Sequence, residues 1–296
     1  MNIIASFHAW KFTHFANNSV IKTKSPTKLS VSEKLKALAF GVSNPRPENS
    51  LLPSRPYSVI KLKSSKLIEC WDIKSDSAKG YVILFHGYSA NKSLMLDKAE
   101  EFLKLRYNVF LVDFIGSGGS EGNQTTVGFK EAEDVNAAYN YISHKGEKNL
   151  ILFGSSMGAA AIMKAINQFG IMPSAVILEC PFGSMYQTTE ARFKNMGVPA
   201  FPMAGMLVFW GGVENGFWAF GHNPVEYVKS INCPALLMYG EKDKQVSKSE
   251  ILKIFKNLKG KKVLKIYPEA EHENYLIKYH NEWINDIYVF LTSNKL

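Results

Sequence analysis

Six short runs in this chain are apolar at almost every position: Tyr81–Phe85, Val109–Val112, Leu150–Phe153, Ala175–Leu178, Ala235–Tyr239 and Val263–Tyr267. A strand with one wet face alternates polar and apolar residues. A strand that is apolar throughout is buried on both faces, as in a parallel sheet covered by helices on each side. Helical periodicity fills the intervals, over Ser93–Arg106, Val127–Tyr141, Met157–Phe169, Ser249–Leu258 and Asn274–Leu291. This alternation predicts an α/β fold, an open and mostly parallel doubly wound sheet with right-handed crossovers. Two earlier segments, Tyr57–Leu62 and Leu67–Ile73, alternate weakly and predict an antiparallel pair at the sheet edge.

The alternation is broken once. Residues 181–223 separate two strands by more than a compact domain uses for a plain loop, so they read as an insertion. The insertion is rich in Gly, Met and aromatics, among them Phe193, Met196, Phe209 and Trp218. It has either a small core of its own or the role of a cap lining an apolar pocket, and the two are compatible. The core is then residues 57–180 and 224–296, with 181–223 as cap. Residues 1–56 read as a basic extension and linker. Met1 to Trp10 is mildly apolar but far short of the roughly 20 residues a bilayer span needs. It has no signal-peptide layout. It fits equally an interfacial anchor, the tail of a membrane span, or a segment packed on the domain. Ser19 to Lys28 is polar and lysine-rich, Leu29 to Phe40 predicts a short amphipathic helix, and Asn44 to Pro56 holds four prolines.

The net charge of +9 is unevenly spread. Residues 1–80 carry 13 Lys/Arg against 5 Asp/Glu, whereas residues 81–296 carry 22 against 21. No reading element with basic and stacking residues is present, so nucleic acid is not an expected partner. The basic front half fits association with an anionic membrane surface, or solubility alone. Three cysteines, Cys70, Cys180 and Cys233, lack metal spacing and read as core fillers. Oligomeric state and compartment, cytoplasmic or peripheral to a membrane, are left open.

The chemistry centres on Asn149 to Ala161, where an apolar strand ends at Gly154, Ser156 and Gly158 follow, and three alanines open a helix. A Gly-x-Ser-x-Gly sequence between strand and helix presents the serine hydroxyl on a strained corner at the top of a sheet. The pentapeptide alone is common, so its context decides its meaning. A nucleophilic serine needs a base, a group to hold that base, and donors for the oxyanion. In an open α/β sheet these come from loops at the carboxyl ends of strands.

Of seven histidines, His8 and His14 lie in the extension, His144 closes a helix, His222 ends the insertion and His280 falls mid-helix. His86 sits at a strand end and reads as a brace. His272, in the loop after the last strand, is the candidate base. Asp243, in the loop after the Ala235–Tyr239 strand, is the candidate acid, with Glu241 and Glu179 as rivals. The order Ser156, Asp243, His272 is the one expected for this architecture. The oxyanion donors are the backbone N–H groups of Met157 and Tyr88, with Gly87 letting the backbone come close.

These residues resemble the α/β-hydrolase superfamily of serine hydrolases over about residues 70–291. The marks are His86-Gly87, the Asp113–Gly122 run, Gly154–Gly158, Gly240–Val246 and His272. The Asp113–Gly122 run is similar to that of the serine aminopeptidase/monoacylglycerol lipase-like branch. No Gly-Lys-Ser/Thr follows it, which argues against a phosphate loop. Asn223–Val228 and the short cap resemble bacterial members of undefined substrate, many of which carry an N-terminal membrane-anchoring helix. The resemblance implies an α/β-hydrolase fold with Ser156, Asp243 and His272 as triad and Tyr88 and Met157 at the oxyanion. The expected activity is hydrolysis of a carboxylic ester with an acyl or lipid-like chain, without metal or organic cofactor. Thioesterase, peptidase or acyltransferase chemistry on the same triad, and a non-catalytic ligand-binding role, are the alternatives.

Overall fold

The computed structural model describes residues 1–16, 20–24 and 28–296. Ser19 and residues 25–27, from the lysine-rich stretch, lie outside the described residues. Among the described residues eight strands form one sheet: β1 (Tyr57–Lys63), β2 (Leu67–Ile73), β3 (Tyr81–Phe85), β4 (Asn108–Val112), β5 (Leu150–Ser155), β6 (Ala175–Glu179), β7 (Ala235–Gly240) and β8 (Lys262–Tyr267). Their spatial order is β1-β2-β4-β3-β5-β6-β7-β8. β1 and β2 pair antiparallel, β2 meets β4 antiparallel, and all remaining pairs are parallel. This is the mostly parallel sheet expected from the apolar runs.

The uniform apolarity of the strands has a direct cause. Ile83, Phe85, Leu150 and Leu152 point into one core layer, while Val82, Leu84, Ile151 and Phe153 point into the other. The first layer is closed by α4 (Glu131–Ser143), α5 (Met157–Phe169) and α9 (Lys248–Asn257), through residues such as Val135, Ile162 and Ile254. The second is closed by α3 (Leu96–Lys104) and α11 (His280–Ser293), through Phe102, Trp283 and Ile287.

Two helix boundaries differ from the periodicity. α4 begins at Glu131, not near Val127, because Val127 and Gly128 have φ of 55° and 99°. The Glu131 carboxylate instead accepts from the Thr126 and Gly128 amides at 2.8 and 2.9 Å, closing a turn ahead of the helix. The last helical stretch is split into α10 (Tyr275–Lys278) and α11, so His280 opens a helix instead of lying mid-helix. The break is at Tyr279, whose hydroxyl accepts from the Glu269 amide at 2.7 Å and whose ring lies 4.9 Å from that of Tyr267.

The front of the chain is built into the domain. α1 (Asn2–Thr13) packs along α7 (Met203–Asn215), with Ala5 and Ala9 buried and Ser6 donating to Glu214 at 2.7 Å. Ile3, Phe7 and Trp10 stay exposed on its outer side. Among the described residues no helix is long and apolar enough to cross a membrane. α2 (Val31–Phe40) is closed at its start by a capping box of Ser30 and Glu33. The proline-rich segment is no free linker. Arg46 donates to the Gly118 and Gly122 carbonyls, and Asn49 to the Asp113 carboxylate at 2.8 Å. The extension expected over 1–56 is thus tied to the core, because its polar side chains satisfy backbone groups of the glycine-rich loop.

Within 181–223, α6 (Met185–Met196) and α7 pack on each other, and α8 (Pro224–Tyr227) follows. Met185, Val208 and Ala219 join the main core layer, so the insertion shares that core.

Candidate active site

β5 delivers Ser156 to a corner with φ 51° and ψ −108°, a conformation that L-residues adopt only under constraint. The constraint is visible. The Ser156 amide donates to the Glu179 carbonyl at 2.8 Å, and α5 starts at the next residue. A Cβ on Gly154 would lie 2.6 Å from the Ala159 nitrogen, and one on Gly158 would lie 2.3 Å from the Phe85 carbonyl oxygen. The corner closes only because both positions lack side chains.

His272, after β8, donates or accepts at both ring nitrogens. Its Nδ1 lies 2.7 Å from Asp243 Oδ2, and its Nε2 lies 2.9 Å from Ser156 Oγ. With Nδ1–H donating to the carboxylate, Nε2 is free to accept the serine proton. Asp243 is buried, and its other oxygen accepts from the Gln245 and Val246 amides at 2.7 and 3.0 Å. Burial lowers the affinity of the His272 ring for a proton, but the Cys180 sulfur and the Asp243 carboxylate outweigh it. The pKa stands well above the ordinary imidazole value. Cys180, read from sequence as core filler, is buried but lies on the cavity wall beside the imidazole.

The rival acids are occupied elsewhere. Glu179 accepts from Ser155 Oγ at 2.9 Å and from Trp283 Nε1 at 2.7 Å, and pairs with Lys98 at 3.5 Å. Glu241 pairs with Lys248 at 2.6 Å.

The loop after β3 passes beside the corner. A Cβ on Gly87 would sit 3.7 Å from the Ser156 Cβ. His86 is fully buried; its Nε2 accepts from the Phe114 amide at 3.1 Å and its Nδ1 donates to the Gly87 carbonyl at 2.8 Å. Burial lowers its pKa, consistent with a neutral ring in both contacts. Met157 is the first residue of α5, so its N–H has no partner inside the helix. The Asp113–Gly122 run wraps the Asp113 carboxylate, which accepts from the Gly119 amide and pairs with the fully buried Lys92. A Cβ on Gly118 would overlap that carboxylate.

Above Ser156 lies a cavity of about 530 Å³. Its wall combines the loop of Gly87 and Tyr88, the α6 residues Arg192, Phe193 and Met196, and Leu207 of α7. A third contributor was not apparent from the sequence: Phe12, Leu38, Val42 and Asn44 come from the first 56 residues. The Tyr88 hydroxyl donates to the Phe12 carbonyl at 2.6 Å and accepts from Asn44 at 2.8 Å, fastening the front of the chain to the loop beside the serine. Only the apolar tone of Met1–Trp10 hinted at a packed segment. Among the described residues no group of three or more His, Cys, Asp or Glu side chains is arranged to hold a metal ion.

Residues 76–209 match the family described as serine aminopeptidase, S33. The uncharacterized protein YqkD of Bacillus subtilis is 26% identical over 214 residues, 71% of this chain and 70% of its own length. Among solved structures, the Pyrococcus furiosus esterase Pf2001 superposes with a TM-score of 0.70 at 23% identity, covering 84% of this chain and 96% of that one. An esterase of Exiguobacterium antarcticum gives 0.60 at 18% identity, covering 79% and 100%. At these identities the structural likeness is one of fold. Sheet order and the strand–Ser156–helix corner give this chain the α/β-hydrolase fold, and over residues 76–209 it is similar to the serine aminopeptidase family.

Proposed function

We propose that the chain is a serine hydrolase that cleaves a carboxylic ester through an acyl-enzyme on Ser156. The observation that carries this reading is the line Ser156 Oγ–His272–Asp243, at 2.9 and 2.7 Å, on the floor of a largely apolar cavity. Oγ attacks the ester carbonyl carbon as its proton passes to His272 Nε2. The carbonyl oxygen gains the negative charge and is met by the Met157 and Tyr88 amides. As the intermediate collapses, the C–O bond to the alcohol breaks and Nε2 returns the proton to the departing oxygen. Water then attacks the acyl carbon, gives its proton to Nε2, and the acid leaves as Oγ is reprotonated. Asp243 holds the imidazole in the required tautomer and stabilises the imidazolium. A lining that includes Phe12, Phe193, Met196 and Leu207 suits an acyl chain.

A fluorophosphonate probe should label the wild type at Ser156 and leave Ser156→Ala unlabelled. Equal labelling of both, or none of the wild type, removes the acyl-enzyme reading. A panel of p-nitrophenyl esters, acyl-thioesters and aminoacyl amides then separates ester hydrolysis from the same triad working on other acyl groups. Binding of an apolar ligand without turnover of any panel member would point to a non-catalytic role.

A further inference from the structure

The charged residues around the cavity do not balance. Glu179 is paired with Lys98 at 3.5 Å, and Glu273 with Lys278 at 3.1 Å. Lys24, at the rim, is paired with Glu33 at 3.2 Å. Each carboxylate on the wall thus has its own cation. Two cations on the wall have no carboxylate partner among the described residues: Arg192 of α6 and Lys22 from the front of the chain. The Lys22 ammonium donates to the Ser89 carbonyl at 2.8 Å, which anchors it at the mouth without neutralising it.

Arg192 is the more constrained of the two. Its guanidinium carbon lies 4.5 Å from the centre of the Phe12 ring and 5.4 Å from that of Tyr88. Those two rings are themselves stacked, 4.5 Å apart and 8° from parallel. Its five N–H donors form no hydrogen bond with the described residues. Arg192 is half-buried on the cavity wall, and that burial lowers its pKa, with only the Tyr88 oxygen opposing. The group therefore sits beside the Phe12 and Tyr88 rings on the cavity wall with its donors unfilled, one side chain away from the loop that borders Ser156.

We propose that Arg192, with Lys22 at the mouth, forms an anion subsite that selects esters carrying an oxyacid anion, a phosphate or a carboxylate, beside an apolar chain. A planar fork with unused donors on the cavity wall suits bidentate capture of such oxygens. The apolar wall takes the chain and the arginine takes the charged end, so the substrate is an anionic amphiphile. The subsite rests on the reading of Ser156 as the nucleophile.

The test compares matched substrates on the full chain. One arm sets an acylglycerol phosphate against the acylglycerol of equal chain length. The other sets a p-nitrophenyl monoester of a dicarboxylic acid against the p-nitrophenyl alkanoate of equal length. The wild type should favour the anionic member of at least one arm by about tenfold or more in kcat/KM, and the arm that responds tells phosphate from carboxylate. In Arg192→Met that ratio should fall toward one, and Arg192→Lys should retain part of it. No preference in either arm of the wild type overturns the subsite, as does a preference that survives both substitutions. Should Arg192→Met not fold, the wild-type ratio and Arg192→Lys decide. Fluorophosphonate labelling of the wild type is read in parallel: labelling without anionic preference sinks the subsite alone, whereas absence of labelling sinks the acyl-enzyme reading beneath it.

Discussion

The Tyr88 hydroxyl donates to the Phe12 carbonyl at 2.6 Å, and the two rings stack with centroids 4.5 Å apart. One residue borders the nucleophile corner and the other belongs to α1, 76 positions earlier. The first helix is therefore part of the cavity wall, and its placement is coupled to the backbone whose amide is proposed to meet the oxyanion.

Phe12→Ala should open that wall. The lost contact area sits where an acyl chain would lie, so kcat/KM for medium-chain p-nitrophenyl esters should fall by about tenfold or more, with a much smaller loss on the acetate. A chain-length series measures this. An equal loss at every length would mean that Phe12 acts only through stability.

Asp243→Asn should change both the height and the position of the pH profile. His272 must be neutral to accept the Ser156 proton, so activity rises as pH climbs through its pKa. That pKa is raised, with the Cys180 sulfur and the Asp243 carboxylate overcoming the effect of burial, and the acid limb of kcat/KM should lie above the ordinary imidazole range. Removing the carboxylate lowers the pKa and moves the limb to lower pH. The plateau should drop by about 10⁴-fold as tautomer control is lost. An unmoved limb would show that the rate reports another group.

Gly158→Ala introduces a Cβ 2.3 Å from the Phe85 carbonyl oxygen, which is backbone and cannot step aside. Gly146→Ala meets nothing within 4 Å and is strained only by its φ of 89°. The first should cost several-fold more stability than the second, which should lose about 1 kcal/mol. Chemical denaturation of the two variants side by side checks the ranking.

Asp134→Asn should stabilise the protein at neutral pH. Burial pushes this carboxyl from 3.8 up to about 8, with the Ser64 hydroxyl and the Ile115 amide pulling it partly back. Between those values the folded state binds a proton that the unfolded state has released. This contribution is complete below about pH 4 and is lost as pH rises to about 8. Asparagine does not titrate, so the Tm advantage of the variant should grow from pH 5 to pH 8, by at least about 2 °C. A constant difference across that range would count against it.

Lys92→Met should be severe. The Lys92 ammonium is fully buried and serves both Asp113 and Glu69. Its removal strands the Asp113 carboxylate inside the glycine-rich loop, at a cost of about 3–5 kcal/mol. Thermal unfolding should show a large drop that Asp113→Asn in the same background partly reverses.

Periodicity made the strands legible, because a strand buried on both faces must be apolar at each position, and Leu150–Phe153 shows this without knowledge of its neighbours. It also made the candidate site legible. In a parallel sheet the loops after successive strands gather at one end, so Ser156, Asp243 and His272 could be brought together on paper by their positions in chain order. The helix breaks at Val127 and Tyr279 were not legible, because they depend on where Glu131 and Tyr267 find their partners.

The roof of the cavity was decided only by tertiary packing. Phe12, Asn44 and Arg192 are ordinary residues in their local sequence. They acquire meaning by meeting at Tyr88, across separations of 44 to 104 positions. Local rules report how a segment buries its own face. Which distant segment covers that face depends on the summed packing of the whole chain, and with it the charge at Arg192 that has no carboxylate partner among the described residues.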